Sequence, residues 1–197
     1  MLRAVKLLFV SLMLTAVCFG TAQADSFTYT GDTFNNPSGT FNRPQENGTL
    51  SPLGTSVPYN VFQFTVTVGG QYSFLSTSLE PVNLDPFLVL YANAFNPLNP
   101  LTNFVIANDD FNGSRTQSGF TTTLSVGTSY FLVTTGKTGA PGVLFFDAGR
   151  FTNTISGPGS IAAGAPTSTV PEPATLMLLG TGLAGVVARV RQRRRAV

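Results

Sequence analysis

Apolar and polar side chains alternate with a period of two along much of this chain. Phe62, Phe64, Val66 and Val68 are separated by Gln63, Thr65 and Thr67, the pattern of a strand with one buried and one wet face. Gly69-Gly70 follows as a two-residue hairpin signal, and the alternation resumes at Tyr72 and Phe74. Residues 87–91, Phe-Leu-Val-Leu-Tyr, are apolar without interruption and follow Asp85-Pro86; they predict a central strand buried on both faces. Asn96-Pro97-Leu98-Asn99-Pro100 is a turn. Further strands are expected over 26–30, 104–107, 121–126, 130–134 and 143–151, with Gly127 turning the chain and one short strand near Phe41 inside a loop-rich stretch over 31–58. About seven or eight short strands, with no helical window before Ala174, predict an all-β antiparallel sandwich or jelly roll over 25–151. Residues 152–169, rich in Gly, Ser, Ala, Pro and Thr, read as a flexible linker.

The two ends carry a different pattern. Arg3 and Lys6 precede an apolar run over 7–19, and Ala22-Gln23-Ala24 has the small-x-small form of a cleavage site. Residues 1–24 therefore read as a secretory signal peptide cut after Ala24. Cys18, the one cysteine, falls inside it, and Val17 ahead of it argues against lipoprotein processing. The mature chain then has no disulfide, and its stability rests on packing alone. At the other end Pro171 and Pro173 bracket Glu172 and hold the backbone extended. Residues 174–188 carry no charge. As a helix they span roughly 22 Å against a bilayer core of ~30 Å, and the span reaches residue 190 if Arg189 and Arg191 snorkel. Arg189, Arg191, Arg193, Arg194 and Arg195 form a basic end, which the positive-inside rule keeps cytoplasmic. Everything before Pro171 is then expected on the far side of the membrane.

This order of parts resembles the PEP-CTERM sorting signal of bacterial exported proteins. The residues that carry the likeness are Val170-Pro171-Glu172-Pro173-Ala174-Thr175-Leu176, the Gly-containing segment over 178–188 and the terminal arginines. The resemblance implies an exosortase-type membrane protease that removes the tail near Pro-Glu-Pro, in Gram-negative bacteria that make exopolysaccharide. Export across the inner membrane by the Sec translocon, cleavage by signal peptidase, transient anchoring by the 174–190 helix and delivery to the cell surface or extracellular matrix are the expected route. In the middle of the chain, Gly70-Gln71-Tyr72-Ser73-Phe74, the run from Leu84 through Asp85-Pro86 to Tyr91, Ala107-Asn108-Asp109-Asp110 and the stretch from Leu124 to Val133 look like the bacterial pre-peptidase C-terminal domain and its exported relatives. Those are small jelly-roll sandwiches. The likeness covers roughly 60–150, and residues 26–58 depart from it.

Charge changes the picture once the two signals are set aside. Between Asp25 and Val170 four bases, Arg43, Arg115, Lys137 and Arg150, face eight acids, a net charge of −4. So sparse and mildly acidic a surface excludes nucleic acid and anionic lipid as electrostatic partners. Seventeen phenylalanines without a tryptophan suit strands. The chain has no histidine and its mature part no cysteine, which removes Ser-His-Asp and Cys-His catalysis and the usual zinc sites. A paired-carboxylate glycosidase has the residue types it needs in Glu80, Asp85, Asp109 and Asp110, but no aromatic cleft signature accompanies them. The expectation is a protein without catalytic residues or organic cofactor.

Asn108-Asp109-Asp110 stands out. Adjacent carboxylates repel unless a cation or solvent intervenes, and oxygen donors of this kind suit Ca²⁺. Asp85 at the mouth of the apolar run is expected to join them, with Asn112 and Ser114 as further donors. The alternative is a plain turn over 108–113 built on Asx chemistry; the sequons at Asn47-Gly48-Thr49 and Asn112-Gly113-Ser114 also read as turns. Phe27, Tyr29, Phe34, Phe41 and Tyr59 lie outside the clear strands and either form a sugar platform or cap the sandwich. The functional expectation is an exported matrix or cell-surface component associated with exopolysaccharide and biofilm. A carbohydrate-binding or ice-binding-like module is the second reading, a carboxylate glycosidase the third.

Overall fold

A computed structural model describes residues 24–79, 84–139 and 147–164. Among the described residues there is no helix and there are ten strands: β1 (Asp25–Asp32), β2 (Gly39–Phe41), β3 (Val57–Val66), β4 (Gly70–Ser78), β5 (Pro86–Ala92), β6 (Phe104–Asn108), β7 (Gln117–Leu124), β8 (Tyr130–Gly136), β9 (Arg150–Gly157) and β10 (Ile161–Ala163). They form a four-stranded sheet in the order β1-β9-β4-β7 and a six-stranded one in the order β10-β3-β8-β5-β6, with β2 also pairing β3. All pairings are antiparallel.

The pairing has a simple rule. β1 pairs β9, β3 pairs β8, β4 pairs β7 and β5 pairs β6. A long two-stranded ribbon, with its turn between β5 and β6, has been rolled up so that its segments fall alternately into two sheets, which is a jelly roll. That turn begins and ends on Asn93 and Asn103, both with left-handed backbone (φ 69° and 63°), a conformation asparagine tolerates better than most residues.

The rule corrects the hairpin expected at Gly69-Gly70. β3 and β4 lie in different sheets, so the glycines carry the chain from one sheet to the other; Gly127 does the same between β7 and β8. A diglycine signals a sharp reversal, and the arch uses that freedom as readily as a hairpin would.

A second correction concerns the linker expected over 152–169. Residues 152–157 belong to β9, the strand between β1 and β4, and 161–163 are β10. The inward positions of β9 are Phe151, Asn153, Ile155 and Gly157, all buried. Only two of the four are large and apolar, and the outward positions are Thr and Ser, so the composition mimics a tether. Gly157 is required by close packing, since the Tyr72 ring stands where its Cβ would be. The last strand was expected over 143–151; it begins at Arg150, and 143–146 lie outside the described residues.

Two apolar layers result. Between the sheets lie Phe64, Val66, Tyr72, Phe74, Leu88, Leu90, Leu132 and Ile155 with their neighbours. On the outer face of the larger sheet a second cluster contains Phe87, Val89, Tyr91 and Val133, covered by Phe41, Tyr59 and Phe95. The rings of Phe41, Tyr59 and Phe95 meet edge to face, with centroids 5.1–5.7 Å apart. β5 is therefore buried on both faces, as its continuous apolar run implied.

Phe64→Ala and Leu88→Ala should each cost about 3–5 kcal/mol in a denaturant titration, and Thr65→Ala, on the opposite face of β3, under half of that. Equal losses at Phe64 and Thr65 would overturn the assignment of faces. Ile155→Ala should cost ~2–5 kcal/mol; no loss there would return 152–157 to a tether.

Candidate functional site

The start of β5 and the ends of β6 and β8 lie side by side at one end of the larger sheet, because both pairings of β5 are antiparallel. Asp85 precedes β5, Asp109 and Asp110 follow β6, and Lys137 follows β8. The Lys137 N–H donates to the Asp85 carbonyl (3.0 Å), which closes this corner. One carboxylate oxygen from each of Asp85, Asp109 and Asp110 lies within 4.8 Å of the others. The three acids expected to meet are brought together.

Asn108 is not a free donor to that group. Its Oδ1 accepts from the Gly119 N–H (3.0 Å) and its Nδ2 donates to Glu46 Oε1 (3.2 Å). Its carbonyl accepts from Ser118 Oγ (2.7 Å), which in turn accepts from the Leu88 N–H (3.0 Å). Asn108 thus ties β6 to β7 across the two sheets. Asn112 takes left-handed backbone and Ser114 Oγ bonds Thr116, so both belong to the turn after β6.

Nothing local to the acids announced the cations. Lys137 Nζ stands 2.7 Å from Asp109 Oδ2 and 3.8 Å from Asp110 Oδ2, and Arg115 Nε stands 3.4 Å from Asp85 Oδ2. Arg43 is buried behind them. Its Nε donates to the Lys137 carbonyl (3.0 Å), its Nη1 to the Pro44 carbonyl (2.9 Å), and its guanidinium lies 3.8 Å above the centre of the Phe87 ring. Glu46 Oε1 accepts from the Asp109 N–H (2.9 Å). A usable signal was the scarcity of charge. Three of the four bases in the exported stretch gather here, and a buried base requires acids nearby.

The electrostatics follow from burial. Desolvation pushes the Asp85 carboxyl up; Lys137 opposes that, while Asp109 and Asp147 add to it. The hydrogen bond to Asp109 raises the Lys137 ammonium, against some desolvation. Burial pulls the Arg43 guanidinium down, and Asp109, Asp147, Asp85 and Glu46 hold it up.

The aromatic candidates divide. Phe41 and Tyr59 cover the outer face of the larger sheet. Phe27 and Tyr29 stack on Phe62, 5.3 and 4.3 Å between centroids, along the side of the sandwich where β1 faces β3. Tyr29 Oη accepts from the Asn153 amide (2.7 Å), and burial pushes its hydroxyl well up. Phe34 is exposed by itself. The five rings thus fall in three separate places.

The outer face of the four-stranded sheet is instead a field of hydroxyls. One row across the strands reads Ser26, Ser156, Ser73, Thr121, and another Thr30, Thr152, Thr77, Gln117. The row between them reads Thr28, Thr154, Leu75, Gly119; its two threonine Oγ1 atoms are 3.1 Å apart, and its other half is apolar. The charged residues of these strands, Asp25, Asp32 and Arg150, stand at strand ends.

Residues 169–194 match the PEP-CTERM protein-sorting motif. That motif implies export, sorting to the surface and processing by exosortase, a membrane protease, with a membrane anchor at the C-terminal side beforehand. Val170, Pro171, Glu172, Pro173, the helix expected over 174–190, the arginines at 189, 191, 193, 194 and 195, and Ala22 of the expected cleavage site lie outside the described residues; Ala24 is the first described residue. A comparison with curated proteins returned no match. Three solved structures are similar at low identity. CBM35 from Cellvibrio japonicus Abf62 is 12% identical with a TM-score of 0.37, over 74% of this chain and 100% of that one. The periplasmic inhibitor of g-type lysozyme PliG from Aeromonas hydrophila is 9% identical with a TM-score of 0.34, over 75% and 93%. The K1 cleaved adhesin domain of Lys-gingipain from Porphyromonas gingivalis is 14% identical with a TM-score of 0.32, over 74% and 99%.

Arg43→Ala should cost about 3 kcal/mol in a denaturant titration, because it strands carbonyl acceptors and removes the buried cation behind the acids. Arg43→Lys should recover less than half, since an ammonium cannot supply the guanidinium fork. Full recovery by lysine would reduce Arg43 to a point charge.

Proposed function

We infer that the protein reaches the outside through the Sec translocon and signal peptidase, is held in the inner membrane by its tail until exosortase cuts near Pro171-Glu172-Pro173, and then serves as a non-catalytic matrix or cell-surface component that binds exopolysaccharide. Export and sorting rest on the match over 169–194. The observation that carries the polysaccharide reading is the hydroxyl field on the four-stranded sheet. A face that is broad, uncharged and dense in donors and acceptors suits a polymer whose own surface is mostly hydroxyl, and avoids the desolvation cost of buried charge. Neighbouring positions on this face lie about 4.8 Å apart across strands and roughly 6.7 Å apart along them, so the two polar rows flank a middle row whose hydroxyls are confined to β1 and β9.

Glu172→Ala, or loss of Arg191 to Arg195, should leave uncleaved chain in the membrane fraction on an immunoblot; normal amounts outside the cell would sink the sorting reading. The protein recovered from the medium should co-sediment with its host's own exopolysaccharide. Thr28→Glu with Thr121→Glu should abolish that binding and move the melting midpoint by no more than a few degrees, because exposed substitutions change stability by only about 0.5 kcal/mol each. Exopolysaccharide that leaves the protein in the supernatant, or binds the double variant equally, would overturn the reading.

A further inference from the structure

The carboxylates at the corner of β5, β6 and β8 are only half satisfied. In each of Asp85, Asp109 and Asp110 the Oδ2 atom faces a base of the chain. In each the Oδ1 atom is buried and has no hydrogen-bond partner among the described residues. Asp85 is the most telling, being only 6% exposed. Its one salt bridge among the described residues, to Arg115, is with a side chain 79% exposed and 3.4 Å away, a pairing too wet and too long to offset much of the cost of burying a charge. An orphaned oxygen on a buried carboxylate is expensive unless something positive is drawn to it.

The charges around it point the same way. Asp85, Asp109, Asp110, Glu46 and Asp147 outnumber Arg43, Lys137 and Arg115 by two. The geometry is also right. Oxygens bound to one Ca²⁺ lie about 2.4 Å from it, so any two are at most ~4.8 Å apart, and the three carboxylates meet that limit. Mg²⁺ demands a near-ideal octahedron with oxygens at about 2.0–2.1 Å and sheds its water reluctantly.

We propose that Asp85, Asp109 and Asp110 form a Ca²⁺ site, and that the Lys137 ammonium is the tethered cation that calcium displaces. Lys137 sits at the rim, 31% exposed, on a flexible four-carbon stem that lets its head withdraw to solvent. Glu46 positions the site through the Asp109 N–H and the Asn108 amide rather than binding the ion. Water completes the six to eight ligands. The site lies on the larger sheet and its loops, whereas the hydroxyl field lies on the other sheet, so neither reading depends on the other.

The test uses the full chain in mild detergent, stripped with chelator, with melting midpoints read in calcium, in magnesium and in sodium at matched ionic strength. For a site with Kd in the ~0.1–1 mM range of extracellular modules, about 10 mM Ca²⁺ should raise the midpoint by several degrees and magnesium by less. Asp109→Asn with Asp110→Asn should abolish that response. Lys137→Met separates a metal site from a self-contained ion-pair network. On this proposal it lowers the midpoint in chelator, tightens calcium binding in calorimetry by at least about tenfold through loss of a competing charge, and regains its midpoint in calcium. A native midpoint that is the same in calcium and chelator, or a Lys137→Met variant that stays destabilised in calcium, would overturn the proposal.

Discussion

Strand β5 carries apolar side chains on both of its faces, and a strand of that kind has to be covered twice. The four-stranded sheet covers one face. Among the described residues no second sheet covers the other, so the loops on either side of β2 and the connection from β5 to β6 are drawn over it, held by Phe41, Tyr59 and Phe95. Those loops bring Arg43 and Glu46 with them, and both end at the acidic corner. The charged site is thus a by-product of double burial. Remove the need to cover Phe87, Val89 and Tyr91, and nothing would place a guanidinium behind the carboxylates.

How much of this could be read from the sequence depended on where the burial was local. β5 was legible because its apolar run is unbroken, and β3 because Phe64 and Val66 alternate with polar neighbours. β9 was not, because half its inward positions are Asn153 and Gly157. A polar residue can face a core when its donors are used there, and the Asn153 Nδ2 donates to both Tyr29 and Thr134, although its Oδ1 has no partner among the described residues. A glycine can face a core when a neighbour fills its space, as Tyr72 does. Both conditions are set by residues roughly 20 to 125 positions away and leave no local trace.

The same distinction holds for the corner. The acids were visible as a pair, and Asp85 lies near them because it opens the buried strand. Lys137, Arg43 and Glu46 were not, since their meeting depends on which strand ends fall at the same end of the sheet. Tight turns misled in a related way. Gly69-Gly70 fixes how sharply the backbone turns but not which plane it turns into, and here it turns between sheets.

The pairing of β1 with β9 has a consequence for timing. The first strand of the domain begins at Asp25 and its partner along its whole length ends at Gly157. β9 also stands between β1 and β4, so without it the four-stranded sheet falls into two pieces and the rows of hydroxyls are broken. A chain that crosses a membrane N-terminus first therefore cannot finish this domain early. It emerges as an open ribbon and closes only when its last long strand has come through, twelve residues ahead of the sorting motif that begins at 169. Completion of the fold and arrival of the sorting signal become nearly the same event.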